Sequence, residues 1–248
     1  MNVIYILWLR QLKRYVRSRA RVAASLGQPL LYLLALGYGL SPVFKKAGQG
    51  NYIQYLAPGV IGMTVMFTSV FSGIELIWDR QFGFLKETLV APVPRMIIMA
   101  GRTLGGATTA IIQGTIVIGV CLLIGFRPTS AGALLMAFVY MAIIAILFTA
   151  FGTAVASLLT DFQGFQLVMN FLVIPMYFLS SAIFPLNGVP RALKILAIID
   201  PLTYGIDGLR GAMTGVHFFH PALDLGVLTA FAAALVLIGS YLFSRIQL

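Results

Sequence analysis

The chain has 248 residues, 60% of them hydrophobic and only 10% charged. No soluble domain of this size needs such an excess for its core, so a water-soluble globular protein is excluded and lipid is the expected solvent. Seventeen Lys and Arg stand against seven Asp and Glu, a formal charge of +10, but the basic residues lie mainly between apolar runs. That distribution fits retention of positive charge on one side of a bilayer and argues against a nucleic-acid partner.

Residues 5–17 come first. Tyr5, Trp8, Leu9, Leu12 and Val16 recur at helical spacing, and Arg10, Lys13, Arg14 and Arg17 fall on the opposite side. The pattern predicts an amphipathic helix on the inner leaflet with Trp8 and Tyr5 at headgroup level, or else a plain extension of the first span. The charges from Arg10 to Arg21 have no short apolar core and small-residue cleavage site after them, so the first span is the expected membrane address. Apolar runs of spanning length lie near 22–40, 56–76, 103–125, 131–157, 166–184 and 223–243. Sorting the basic residues between the two sides puts eleven with the termini and six opposite, which predicts cytoplasmic termini. The fold class read from this pattern is an all-α polytopic membrane protein of one domain, 1–248. Its parts are an interfacial helix (1–21), five spans (22–184) joined in part by a cytoplasmic loop (77–102), an external region (185–222), and a sixth span with its tail (223–248).

In the second span Thr64, Thr68, Ser72 and Glu75 follow one helical face, and in the fifth Gln166, Asn170, Tyr177 and Ser181 do so if Pro175 turns the helix little. Intramembrane polarity is costly enough to need a reason. Two serve equally here, a partly polar path for a transported molecule or interhelical hydrogen bonds. The loop after the second span mixes charge with an apolar stripe: Phe82, Leu85 and Leu89 share a face, Asp79, Lys86 and Glu87 are placed to meet a polar partner, and Pro92 and Pro94 end the element. Such a helix could receive a push from a cytoplasmic protein, or it could be an ordinary solvated loop.

Past the fifth span, 193–199 and 202–213 are apolar pieces too short to cross, broken by Asp200 and Pro201, and two short helices dipping into the outer leaflet are expected. No catalytic constellation is present. His217 and His220 have only Asp224 nearby, short of a zinc ligand set, so no metal is expected. Cys121 lies alone in an apolar run, and no G-x-x-x-x-G-K-[ST] loop is present, so any ATP would bind to another chain. An ion-coupled transporter or channel is the competing reading, with Glu75 its acidic candidate.

Two stretches carry a resemblance. The segment from Asp79-Arg80 to Pro94 is similar to an acidic-Arg-x-x-Gly-x-Leu-x-x-x-Leu-x-x-Pro loop, and Phe184-Pro-Leu-Asn-Gly-Val-Pro190 leads to Asp200-Pro-Leu-Thr-Tyr204-Gly-Ile-Asp207-Gly-Leu-Arg210. In both, and along nearly its whole length, the chain resembles the ABC-2 type permeases, particularly the branch of daunorubicin-resistance and nodulation-type export permeases. It departs from them in having Asp200 where Asn is usual and Asp79 where Glu is frequent. The resemblance implies a bacterial inner-membrane subunit that pairs with a second permease copy and with a separate ABC ATP-binding subunit, which holds the ATP and Mg while this chain binds no cofactor. It implies coupling through Asp79, Arg80, Gly83, Leu85, Lys86, Glu87 and Pro92. It implies a substrate path along Thr64, Thr68, Ser72, Gln166, Asn170 and Tyr177, and an external gate at Pro185, Asp200, Pro201, Tyr204 and Arg210. The cargo it implies is a drug-like molecule, a lipid or a lipid-linked glycan moving outwards.

Overall fold

The computed structural model describes residues 3–46, 51–90, 92–187 and 189–246; Gly188, Ala91 and the side chains of Arg19 and Arg21, all used above, lie outside the described residues. Six helical runs are long and apolar enough to cross a membrane: Val22–Gly39, Tyr52–Gln81, Arg95–Ile124, Gly132–Leu158, Phe162–Leu179 and Pro221–Ser244. All six expected spans are therefore present, and the described residues hold no strand.

The amphipathic α1 (Val3–Arg17) is followed by α2 (Arg19–Leu31), a π-helical turn (Tyr32–Leu36), α3 (Gly37–Gly39) and α4 (Ser41–Lys46). Asn51 then caps α5 (Tyr52–Phe71), its side chain accepting the Ile53 N–H at 3.1 Å. After a turn at Ser72 and Gly73 the run continues as α6 (Ile74–Gln81), then α7 (Phe84–Val90) and α8 (Arg95–Ile124). The helical run that holds the second span thus carries on past residue 76, and α8 begins ahead of residue 103. The helices can outrun the apolar sequence because Asp79 and Arg102, which broke the hydropathy pattern, neutralise each other inside the protein. Gly125, at φ 108°, ends α8, as a left-handed glycine does.

Ser130 caps α9 (Ala131–Leu158) through the Ala133 N–H, and Asp161 caps α10 (Phe162–Val168) through the Gly164 N–H. A second π-helical turn (Met169–Val173) precedes α11 (Ile174–Leu179) and its Pro175. The short helices α12 (Arg191–Ile199) and α13 (Pro201–Thr214) follow, and α14 (Pro221–Ser244) closes the bundle. The two pieces between the fifth and sixth spans differ sharply. Every residue of α13 from Pro201 to Arg210 is buried, against α5, α9 and α14, whereas α12 buries only Ala197.

The core is built from α5, α8, α9 and α13. Backbone meets backbone where the end of α5 and the turn after it cross α9: a side chain at Gly73 would strike the Gly152 carbonyl and one at Gly152 would strike that of Val70. Packing at backbone contact is how helices associate in lipid, where burial of apolar surface supplies little drive. The first and fifth spans sit at the rim, with Leu31, Leu34, Tyr38, Leu167, Phe171 and Phe178 exposed.

Candidate functional site

At the end of the bundle that carries the termini, Asp79 is 3% exposed and surrounded by arginine. Arg10 grips both carboxylate oxygens at 2.7 and 3.1 Å, Arg102 reaches one at 2.5 Å and Arg14 lies at 3.5 Å. The bidentate Arg10 contact is the strong, directional form of this interaction. The clasp joins α1, α6 and α8. Arg10 also covers the Phe84 ring at 3.7 Å, which brings in α7. The basic face of α1 is therefore split, with Arg10 and Arg14 turned inwards while Lys13 and Arg17 stay exposed. Trp8 donates to Thr108 Oγ1 at 3.0 Å, and Leu7 and Gln11 are buried, so α1 packs on α8, with Tyr5 and Val16 left exposed.

The loop residues sort into anchors and an outward edge. Arg80 donates to the carbonyls of Leu159 and Ser157 at 2.9 and 3.3 Å, tying the second span to the fourth-to-fifth turn. Leu85 is fully buried, and Lys86, Glu87 and Pro92 are exposed. Gly83 has φ 79°, a left-handed turn that suits glycine and rotates what precedes it. Phe82 is accordingly 82% exposed and does not share a face with Leu85, contrary to the helical spacing.

A cavity of about 430 Å³ lies between α1, α2, α5, α6, α8 and α10. Thr64, Thr68, Ser72 and Glu75 line it as one stripe, faced by Tyr15 and Phe162. The expected fifth-span stripe is divided. Gln166 and Asn170 share a hydrogen bond at 3.3 Å outside the cavity lining, while Tyr177 is buried among Tyr32 and Phe67 at 6.0 and 6.3 Å. The π-helical turn at Met169–Val173, which contains Asn170, adds a residue to one helical turn and rotates everything after it. Ser181 leaves the helix altogether at φ 60°.

At the opposite end, Arg210 is 4% exposed. Its guanidinium covers the Tyr55 ring at 3.9 Å and donates to the Ser181 carbonyl at 2.8 Å, which also accepts the Tyr55 hydroxyl at 2.8 Å. Tyr52 donates to Ile183 at 2.8 Å, so the turn leading to the half-buried Pro185 is stitched to α5. Asp207, 3.9 Å from Arg210, accepts the Phe218 and Phe219 N–H groups. Tyr204 stacks on Phe219 at 5.0 Å and donates to the Ile198 carbonyl.

Asp200 caps α13 through the Leu202 N–H at 2.9 Å, with Pro201 in the first turn, and its other oxygen is buried without a partner among the described residues. Burial pushes this carboxyl up to about 7, against the smaller opposing pull of the Leu202 N–H. A carboxyl raised on folding stabilises the protein below its unfolded value, and that contribution is lost as pH rises through the folded one. Asp200→Asn, neutral throughout, should match the parent chain in melting temperature near pH ~4 and exceed it near pH ~8. Equal melting curves at both values would show that Asp200 is solvated.

Sequence reading missed Arg10, Arg14 and Arg102 as partners of Asp79, Tyr55 and Asp207 as partners of Arg210, and Asp224. The last is fully buried in the first turn of α14, neither carboxylate oxygen having a partner among the described residues. The available signal was ionisable residues inside apolar runs, which Arg102 and Asp224 both are.

Residues 2–214 match the family model described as ABC-2 type transporter. The chain belongs to the ABC-2 type transporter family. It is 29% identical over 228 residues to nodulation protein J of Rhizobium leguminosarum bv. viciae, covering 91% of this chain and 87% of that one. It is 30% identical over 248 residues to the putative transport permease ycf38 of Porphyra purpurea, covering 93% and 83%. Against the inner membrane transport permease YadH of Escherichia coli (strain K12) it is 25% identical over 237 residues, covering 94% and 91%. This ABC-2 chain is thus a multi-pass membrane protein of a transport permease family. Among its described residues no three His, Cys, Asp or Glu side chains are grouped to hold a metal.

Proposed function

We propose that the chain is the membrane subunit of an ATP-driven exporter, taking a hydrophobic or amphipathic molecule outwards across the bacterial inner membrane. The observation that carries this reading is the corner formed by α6 and α7. Lys86 and Glu87 point outwards from a helix anchored by Leu85 and tied to the arginine-clasped Asp79. A docked ATPase pushing on α7 would move α1, α6 and α8 together, and α1 and α6 wall the cavity. Both termini lie on the cytoplasmic side in this reading, with α12 and α13 as the external re-entrant pair. The clasp of Arg210, Tyr55 and Ser181 then shapes the exit. A second copy pairs across the rim spans and closes the cavity's open side, and ATP and Mg stay on the partner.

Co-purification of the tagged chain from its native membrane in mild detergent tests this. An ABC ATP-binding protein should come with it and hydrolyse ATP. Glu87→Arg, which reverses an exposed charge, should leave insertion intact and lower the recovered ATPase activity at least about tenfold, as a disrupted charge pair at an interface does. Recovery of the chain alone, or full activity with Glu87→Arg, would remove α7 from the mechanism.

A further inference from the structure

The cavity described above shows an asymmetry in its hydrogen-bonding groups, and an inference about its cargo rests on the exporter reading. Thr64 Oγ1 donates to the Val60 carbonyl at 2.8 Å, Ser72 Oγ to that of Ser69 at 2.6 Å, and Thr109 Oγ1 to that of Gly106 at 2.8 Å. On the α2 side Ser25 donates to Val22 at 2.9 Å, and Tyr15 donates to Gln113 Oε1. A hydroxyl whose proton is engaged by a helix carbonyl has only lone pairs left for the space it faces. Among the described residues Thr68 is the one cavity hydroxyl without such a bond. The remaining N–H groups of the lining belong to the side chains of Gln11, Gln28 and Trp78, and Gln11 Oε1 adds a buried acceptor with no partner among the described residues.

Charge points the same way. Glu75 faces the cavity, and Arg14, one of the groups that interact with it, lies at 3.7 Å without lining the cavity; among the described residues the lining holds no Lys or Arg side chain. The aromatic faces of Phe67, Phe71 and Phe162 complete the wall, and such faces attract a cation. We infer that the cavity accepts an amphipathic amine in its protonated form, with the ammonium donating to Glu75 and the cavity oxygens and the apolar body lying against the phenyl rings. A phosphate or carboxylate amphiphile would meet lone pairs and a like charge. Arg14 is shared between Glu75 and Asp79, the latter at 3.5 Å. An ammonium taking up Glu75 leaves Arg14 to Asp79, so occupancy of the cavity reaches the clasp beneath α7.

Three probes of matched body separate the possibilities: pyrenebutylamine, pyrenebutanol and pyrenebutyrate. Energy transfer from tryptophan to pyrene is read with the chain in zwitterionic nanodiscs, and the signal from empty nanodiscs is subtracted. The amine should bind saturably and at least about tenfold more tightly than the other two, a modest difference of about 1.4 kcal/mol. Glu75→Gln should bring the amine to the alcohol's affinity, and Thr68→Trp, which fills the cavity, should abolish saturable binding of all three. If Glu75→Gln does not yield folded protein, the double variant Thr64→Val with Ser72→Ala leaves the ion pair untouched and should still narrow the preference for the amine. Equal affinities for amine and butyrate, or a preference unmoved by these variants, would overturn the inference. A chain that couples to its ATPase yet shows no amine preference keeps the exporter and loses this cargo class. Amine binding by a chain that recruits no ATPase keeps the site and loses the exporter.

Discussion

Replacing Asp79 by alanine is expected to free α1 from the bundle. Three arginines converge on this one carboxylate, and Arg102, with 8% of its side chain exposed, has no route to water. Removing one partner of a buried pair leaves the other charge uncompensated, at a cost of about 3–5 kcal/mol. Arg10 and Arg14 are partly solvated and contribute less. The purified variant should melt well below the parent protein, and trypsin should cut rapidly at Lys13 and Arg17 once α1 detaches. Asp79→Glu should keep most of the stability, and Asp79→Ala combined with Arg102→Leu should regain part of the loss, because the stranded cation is gone. A melting temperature and tryptic pattern unchanged by Asp79→Ala would mean that the clasp holds nothing.

The largest expected loss of folded protein comes from Gly152→Leu. The α5–α9 crossing is backbone against backbone, and the first side-chain atom at this position would fall on the Val70 carbonyl. Overpacking a core by extra methylenes costs about 1–3 kcal/mol where side chains can shift; here the obstacle is main chain, and separating the helices breaks the contact on which Gly73 also depends. Gly119→Leu supplies the control, since a side chain there meets nothing within 4 Å. In detergent size-exclusion profiles Gly119→Leu should elute as a single species at normal yield, and Gly152→Leu as aggregate or not at all. Similar profiles for the two would show that the helices cross further apart than described.

The spans and the two short helices were legible because each rests on local pattern: apolar runs of spanning length, prolines, and the break at Asp200 and Pro201. The Thr64, Thr68, Ser72 and Glu75 stripe survived because α5 and α6 hold their register well enough to put all four on one wall. The fifth-span stripe did not, since a single widened turn rotated Tyr177 into the core, and the spacing of Gln166 and Asn170 gives no warning of it. Gly83 likewise turned Phe82 away from Leu85 through one left-handed φ. The destination of Arg10 was hidden for another reason. Its partner is 69 residues away, and helical periodicity says which face a charge occupies but not which helix will meet that face. Asp79 could be recognised as chemically loaded without any indication that α1 would supply two of its three arginines.

The two π-helical turns stand in the first and fifth spans, both at the rim, each shortly before or after a proline, Pro29 in one and Pro175 in the other. A widened turn can be passed along a helix or absorbed by shifting which carbonyl each N–H chooses, without leaving either unpaired. The second and fourth spans, locked at Gly73 and Gly152, have no comparable slack. The molecule is therefore stiff along its centre and compliant along its edge, and the compliant edge includes the α2 and α10 walls of the cavity. Widening that space to admit or release a bulky body requires rotation of two outer helices by a fraction of a turn, while the central crossing keeps its place.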